Sequence, residues 1–315
     1  INMSKNTSKG KKKLQSEGPD LNDFNDPQKM LKLGVQTYYG QDGVAEDKAK
    51  GLTLIKNAVD KGNVDAMYVY ALLKLENEPK EAAKYFKMAA DKGHAEAQET
   101  YAIMLYKGDD IDQNFSEAAK YFKMAADQDQ VKSIYNYGIM LEKGEGVPQN
   151  IQLAVKCFQR AAKQNLPSAL YKMGVYTKNG EILPQNKSLA AEYFKRGADL
   201  DDEDCMLNYG KMLDFGDGIP VDKVEANRHY RMAADKGQVQ ACYMYAFSCQ
   251  KGDGIPKNIS HALHYYNKGM EQDDTACIVN LGLIFEKGDG VPVNKIMAYK
   301  LYRKAAILGD PKAIC

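Results

Sequence analysis

The sequence predicts an all-α protein, an α-solenoid of helix–turn–helix repeats that stack into a superhelix. Small residue pairs and turn glycines both recur every 36 residues, and the apolar residues between them follow helical spacing. A fixed period of this length is typical of arrays in which each unit buries its apolar face only against its neighbours. The recurring pairs are Ala89-Ala90, Ala125-Ala126, Ala161-Ala162, Gly197-Ala198, Ala233-Ala234, Gly269-Met270 and Ala305-Ala306.

The first helix of each repeat is clearest in Val131 to Lys143. Counting from Ser133 as position 0, Tyr137, Gly138 and Leu141 fall at positions 4, 5 and 8, the spacing of one apolar helix stripe. A glycine inside a helix costs about 1 kcal/mol relative to alanine. Small residues at position 5 of seven repeats therefore predict close contact between helices. They are Ala71, Ala102, Gly138, Gly174, Gly210, Ala246 and Gly282.

The turn that follows carries a stop signal and a start signal. A glycine just past a helix end supplies the left-handed conformation that terminates it. Two residues beyond the loop proline stands an Asn or Asp such as Asn150, the preferred type of N-cap for the second helix. The predicted stops are Gly108, Gly144, Gly180, Gly216, Gly252 and Gly288. The second helices are predicted to end at Gly62, Gly93, Asp129, Asn165, Asp201, Gly237, Asp273 and Gly309.

These motifs resemble a known family. Tyr137-Gly138, the loop Gly144-Glu145-Gly146-Val147-Pro148, and Ala154 followed by Ala161-Ala162 are similar to the Sel1-like repeat, a relative of the tetratricopeptide repeat with a longer loop. The resemblance covers roughly residues 30–310, about eight units. The segment 64–94 is five residues short and places Glu78-Pro79 before its second helix, while the first unit, near 29–63, has one extra loop residue. The family's usual Trp is replaced by Tyr85, Tyr121, Cys157, Tyr193, His229, Tyr265 and Leu301.

The two ends of the chain lie outside this pattern. Residues 1–26 are polar and without period, and they predict a disordered basic linker, with a tail for nuclear localisation or for binding an acidic partner as the alternative. The solenoid is predicted over 27–310, and residues 311–315 resemble the start of a truncated further repeat. The lysines of the basic segment are Lys5, Lys9, Lys11, Lys12 and Lys13.

The composition narrows the range of partners and compartments. Formal net charge is +1, from 43 basic and 42 acidic residues, so nothing favours a nucleic acid or a membrane surface. No apolar run approaches the roughly 20 residues that span a bilayer. Cys205 and Cys277 occupy a slot that is alanine in other repeats, which indicates small buried thiols. Free thiols predict a reducing compartment, the cytoplasm, with the nucleus as the alternative.

Catalytic motifs are missing. His261 and His264 lie three residues apart, but two histidines without a third ligand make a weak metal hypothesis. Neither a phosphate-binding Gly-rich loop ending in Lys-Ser or Lys-Thr nor a Gly-x-Ser-x-Gly motif occurs. We therefore expect no enzyme, no cofactor, no metal and no small-molecule substrate.

A binding face follows from the resemblance. In tetratricopeptide-like stacks the first helices line the concave face, which implies that their positions 2 and 6 look into the groove. Tyrosines and amides there suit an extended peptide or a partner helix, since Tyr offers large contact area at low entropic cost. The alternative is packing between adjacent first helices, which we favour for position 6. The candidate residues are Tyr68, Tyr135, Asn136, Tyr171, Lys172, Asn208, Lys211, Tyr243 and Asn280.

The function expected from these observations is a non-catalytic scaffold or adaptor that binds protein or peptide partners on its concave face. The alternative is a regulatory or targeting region of a larger signalling protein, because Sel1-like arrays also occur fused to kinase domains.

Overall fold

The structure, a computed structural model, describes residues 25–310, and the regular secondary structure in that part of the chain is entirely α-helical. The predicted linker lies outside the described residues except for Asn25 and Asp26, and so does the predicted repeat start at 311–315. The described chain divides into an N-terminal unit, which ends at Gln128, and a C-terminal unit, which begins at Asp129.

Helices follow one another in pairs, as the repeat pattern predicts. The N-terminal unit contains α1 (Pro27–Tyr39), α2 (Lys48–Asp60), α3 (Val64–Lys74), α4 (Pro79–Asp91), α5 (Ala95–Lys107) and α6 (Phe115–Asp127). The C-terminal unit contains α7 (Val131–Lys143), α8 (Ile151–Lys163), α9 (Pro167–Asn179), α10 (Lys187–Asp199), α11 (Glu203–Phe215), α12 (Lys223–Asp235), α13 (Val239–Lys251), α14 (Ile259–Met270), α15 (Thr275–Lys287) and α16 (Lys295–Ile307).

The predicted start signals operate as N-caps. Before α8, the side-chain oxygen of Asn150 accepts a hydrogen bond from the backbone N–H of Leu153 at 2.9 Å, which satisfies a donor that the helix itself leaves unpaired. The short repeat is the exception, because Glu78 makes no side-chain cap and α4 begins with Pro79 at its first turn. The same cap is made by Asn114, Asn186, Asp222, Asn258 and Asn294.

The predicted stop signals are also confirmed. Gly144 ends α7 with φ +76° and donates its backbone N–H to the carbonyl of Met140. After α8, Asn165 holds the left-handed conformation at φ +58°, which asparagine tolerates better than most residues. All eight predicted ends of second helices have positive φ: Gly62, Gly93, Asp129, Asn165, Asp201, Gly237, Asp273 and Gly309.

The core of each repeat in the C-terminal unit is an aromatic ring seated on the small residue at position 5. A β-carbon at Gly174 would lie 2.6 Å from Cε1 of Phe194, and one at Gly138 would lie 2.8 Å from Cε1 of Phe158. Both rings are fully buried. In these two repeats the glycine therefore lets the ring of the second helix approach the first helix more closely than a β-carbon would allow.

Where that ring belongs to a tyrosine, the first helix supplies a partner for its hydroxyl. A buried hydroxyl without a hydrogen bond would destabilise the fold. The hydroxyls donate to Asp214 from Tyr230 at 3.3 Å, to Gln250 from Tyr266 at 3.1 Å and to Glu286 from Tyr302 at 2.8 Å.

Consecutive repeats meet at a second tight contact, which we call the seam. In most repeats the seam pairs alanine with alanine, as with Ala161 and Ala169, both fully buried. At α10–α11 the pair is Gly197 and Cys205, and a β-carbon at Gly197 would lie 2.3 Å from the Cys205 Sγ. The sulfur thus fills the space that the missing methyl leaves. Gly269 and Cys277 repeat the arrangement, with a corresponding distance of 2.4 Å.

This compensation predicts strong coupling between the two seam residues. Gly197→Ala alone should lower the free energy of unfolding by about 1–3 kcal/mol, because the methyl collides with the sulfur in a packed seam. Cys205→Ala alone should cost about 1 kcal/mol through the void it leaves. The double variant recreates the alanine pair of other seams, so its stability should return close to that of the wild type in urea denaturation.

Gly197→Ala combined with Cys249→Ala is the control, because Cys249 is buried in α13 and does not face Gly197. Its two effects should simply add. Additivity in the Gly197–Cys205 double variant as well would contradict the compensation.

Candidate functional site

The four candidate tyrosines lie half-buried at position 2 of their first helices, Tyr68 in α3, Tyr135 in α7, Tyr171 in α9 and Tyr243 in α13. Each ring packs on the buried aromatic ring of the second helix in its own repeat, so one side of the ring serves the core. The ring centroids are 5.8 Å apart for Tyr68–Phe86, 5.4 Å for Tyr135–Phe158, 6.0 Å for Tyr171–Phe194 and 6.3 Å for Tyr243–Tyr266.

The hydroxyls of Tyr171 and Tyr243 stand near acidic residues at the start of the following first helix. Burial raises the pKa of Tyr171, and the carboxylates of Asp204 and Asp202 add to the shift. Burial likewise raises the pKa of Tyr243, with Asp274 among its neighbours. These hydroxyls therefore stay protonated at neutral pH and remain able to donate a hydrogen bond.

The three candidate asparagines are half-buried at position 3. Two of them bond to their own helices, since Asn208 Nδ2 donates to the carbonyl of Asp204 at 2.9 Å and Asn280 Nδ2 to that of Ala276 at 2.8 Å. Asn136 occupies the same position in α7. The amide oxygens of Asn208 and Asn280 are the groups that these local hydrogen bonds leave for a partner.

Both candidate lysines have partners inside the C-terminal unit. The Lys172 ammonium lies 2.8 Å from a carboxylate oxygen of Glu142 and 5.7 Å from the centroid of the Phe158 ring. Lys211 donates to the Gln240 side chain at 2.7 Å, and burial lowers its pKa. The structure therefore brings both lysines to contacts between repeats, where they fix neighbouring first helices.

One residue at position 6 in each unit is apolar and exposed, which distinguishes that position from plain packing. The sequence favours packing at that position, yet Leu72 is 44% and Phe247 37% exposed. Phe247 stacks on Tyr243 with 6.0 Å between centroids, and the Lys251 ammonium lies 5.6 Å from its ring centroid. We call Tyr243, Phe247 and Lys251 the aromatic ledge.

Phe215, 71% exposed at the end of α11, is absent from the sequence candidates. The sequence could have pointed to Phe215, because it is a phenylalanine at a position where most other repeats carry lysine. Those lysines are Lys107, Lys143, Lys251 and Lys287.

The described residues offer little for metal or thiol chemistry. Within residues 25–310, no three His, Cys, Asp or Glu side chains come together in a way that could hold a metal ion. Cys205 and Cys277 are fully buried free thiols, and burial raises the pKa of each, which keeps them protonated. None of the helices in this part of the chain is both long and apolar enough to cross a bilayer.

His229 occupies a slot that usually holds a tyrosine. In α6, the Tyr121 hydroxyl donates to Asp91 at the end of the preceding second helix. In α14, Tyr265 donates to Asp235 in the same way, at 2.7 Å. The corresponding acidic residue for His229 in α12 is Asp199. A neutral imidazole carries a single N–H, so His229 can donate to Asp199 only if that N–H faces it.

Burial is the main influence on His229, which is only 5% exposed. It lowers the pKa of the imidazole, and the neighbouring Arg228 acts in the same direction. Glu225, whose carboxylate lies 3.2 Å from Nε2, and Asp199 of α10 oppose the shift. Tyr209 of α11 covers the ring edge-on at a centroid distance of 5.0 Å. Nδ1 has no hydrogen-bond partner among the described residues.

Comparison with protein families finds the Sel1 repeat eight times, at residues 30–63, 64–94, 95–130, 131–166, 167–202, 203–238, 239–274 and 275–310. The chain belongs to the Sel1 repeat family. The resemblance inferred from the sequence is thereby confirmed, including the shortened unit at 64–94. Sel1 and tetratricopeptide-like repeat proteins typically mediate protein–protein interactions, and their fold is generally a non-catalytic scaffold.

Two solved structures share the fold. A protective antigen of uropathogenic Escherichia coli strains, which displays an SLR fold, is 24% identical with a TM-score of 0.86. The match covers 94% of this chain but only 66% of the antigen. A Sel1 repeat protein from Oxalobacter formigenes is 23% identical with a TM-score of 0.73, over 93% of this chain and 87% of that protein. No curated protein sequence matches the chain.

The buried imidazole predicts a pH-dependent stability. Because the pKa of His229 is lowered in the folded state, the unfolded chain takes up the proton first. Stability is therefore complete above about pH 6.5 and is lost as the pH falls below it, by at most about 1.4 kcal/mol per pH unit. His229→Tyr should remove this loss in urea denaturation at pH 7.5 and 5.5, because a phenol does not change its charge between these two pH values. The exposed His264 is the control, and a loss of pH dependence in His264→Tyr instead would refute the assignment.

Proposed function

We propose that the chain is a non-catalytic scaffold or adaptor whose first helices bind an extended segment or a helix of a protein partner. The aromatic ledge carries this proposal, because it exposes a large apolar ring on the first-helix side of a fold whose relatives typically mediate protein interactions. In the C-terminal unit, first helices of successive repeats touch, as α9 does α11 and α13 does α15. A partner can therefore span more than one repeat.

The chemistry of this side favours a protein over other ligands. Aromatic side chains with a hydrogen-bonding tip are typical of the central residues of protein interfaces. Tyr135 and Tyr171 add protonated hydroxyls, and Asn136, Asn208 and Lys172 add polar groups beside them. The near-neutral net charge of +1 favours neither a nucleic acid nor an anionic membrane.

The proposal includes a reducing compartment, either the cytoplasm or the nucleus. It is supported by cysteines that serve as small buried packing residues rather than as cross-links, notably Cys205 and Cys277.

The ledge can be tested with a photoreactive benzoylphenylalanine. Placed at residue 247 in the native host, it should form covalent adducts with a partner protein. Phe247→Ser should weaken the affinity for the captured partner at least tenfold, as expected for a central aromatic residue, and leave the melting temperature nearly unchanged because the ring is partly exposed. Affinity is measured by calorimetry with the purified partner.

Lys195 is the matched control position, since it is exposed on the second helix α10. Equal adduct yields from residues 195 and 247 would argue against a first-helix site. Tyr135→Phe with Tyr171→Phe then separates the two roles of the tyrosines, because it keeps the ring packing and removes only the hydroxyls. Reduced affinity at an unchanged melting temperature is the expected result.

A further inference from the structure

In several loops between first and second helix, another glycine stands two residues after the helix-ending glycine. This second loop glycine lets the loop pack tightly against the preceding repeat. Gly218 and Gly254 have φ of +85° and +74°. A β-carbon at Gly218 would lie 2.3 Å from Cβ of Lys187, the first residue of α10, and one at Gly254 would lie 2.6 Å from Cβ of Lys223, the first residue of α12. No other residue type fits both the space and the left-handed backbone without strain.

Hydrogen bonds close the gap between loop and helix at these glycines. Ser188 Oγ in α10 donates to the carbonyl of Gly218 at 2.7 Å. Asn227 Nδ2 in α12 donates to the carbonyl of Asp253 at 2.8 Å. The loop therefore lies directly on the start of the preceding second helix.

One repeat of the C-terminal unit has isoleucine in place of this glycine. Ile182 does not take a positive φ, and its side chain lies beside Ile151 at the start of α8, where both residues line the same surface. An open cleft of about 330 Å³ lies there, which we call the Ile182 cleft. It is lined by Ile151, Gln152, Val155, Lys156, Gln159, Ile182 and Leu183.

The N-terminal unit repeats the arrangement independently. Its loop carries Asp110 at the same place, also without a positive φ, and a cleft of about 370 Å³ lies beside α4. Five lining positions match those of the Ile182 cleft at a spacing of 72 residues. They are Lys80, Ala83, Lys84, Lys87 and Ile111.

The lining of the Ile182 cleft defines what fits it. Four of the seven lining residues are aliphatic, among them Ile182, which is 39% exposed, and the other three are Gln152, Gln159 and Lys156. Lys156 is the one charged residue of the lining, is exposed, and has no ion-pair partner among the described residues. We propose that the Ile182 cleft binds a peptide segment of a protein partner that places an aliphatic side chain against Ile182 and a carboxylate at Lys156. The volume suits one such side chain, and the charge selects acidic neighbours.

This surface belongs to a second helix and a loop, so it does not depend on the aromatic ledge. Failure of either proposal leaves the other standing, because the two use different residues and different variants.

Fluorescent dodecapeptide pools test the cleft against the full chain by anisotropy. One pool has a central Leu flanked by Glu on both sides, the second has Leu flanked by Lys, and the third has Ala flanked by Glu. The first should bind at least tenfold more tightly than either other pool. A wild-type protein that shows no such preference would overturn the proposal.

Variants then locate the binding. Ile182→Gly restores the common loop and should lose at least tenfold in affinity for the first pool without a lower melting temperature. Lys156→Glu should reverse the preference toward the Lys-flanked pool. Lys163→Glu, the same charge change on an exposed lysine of α8, should bind like the wild type. An unchanged preference in Ile182→Gly or in Lys156→Glu would refute the site, and circular dichroism verifies that each variant is folded.

Discussion

Contact between a buried aromatic ring and a residue with almost no side chain is the constraint on which each repeat of the C-terminal unit depends. The ring of Phe194 reaches the backbone of α9 only because position 174 has no β-carbon. This contact sets the distance between the two helices of a pair, and through it the position of every residue on the first-helix side. Tyr171 is half-buried for the same reason, since its ring rests on Phe194.

The seams between repeats also depend on close packing of small residues, but there two residues compensate for each other's size. Gly197 with Cys205 occupies the same role as Ala161 with Ala169, so the volume of the pair is conserved while its members differ. A core can therefore vary in sequence and keep one geometry. This explains how the repeat period persists although few positions are identical in all eight units.

Local chemistry made most of the fold predictable. N-caps such as Asn150 and left-handed ends such as Asn165 act within a few residues of chain, so their consequences can be derived from sequence alone. The contacts of the candidate binding residues were harder to predict from the sequence. Lys172 and Lys211 were placed correctly on first helices, but their bonds to Glu142 and Gln240 depend on the rise from one repeat to the next. The Ile182 cleft likewise emerges only when a loop is set against the preceding repeat.

The compensated seam has a consequence for how this chain can change over generations. Neither Gly197 nor Cys205 can return to alanine alone without a collision or a void, whereas the two changes together recreate a pairing that the chain already uses elsewhere. A lineage that holds the glycine–cysteine pair must therefore cross a less stable intermediate to leave it.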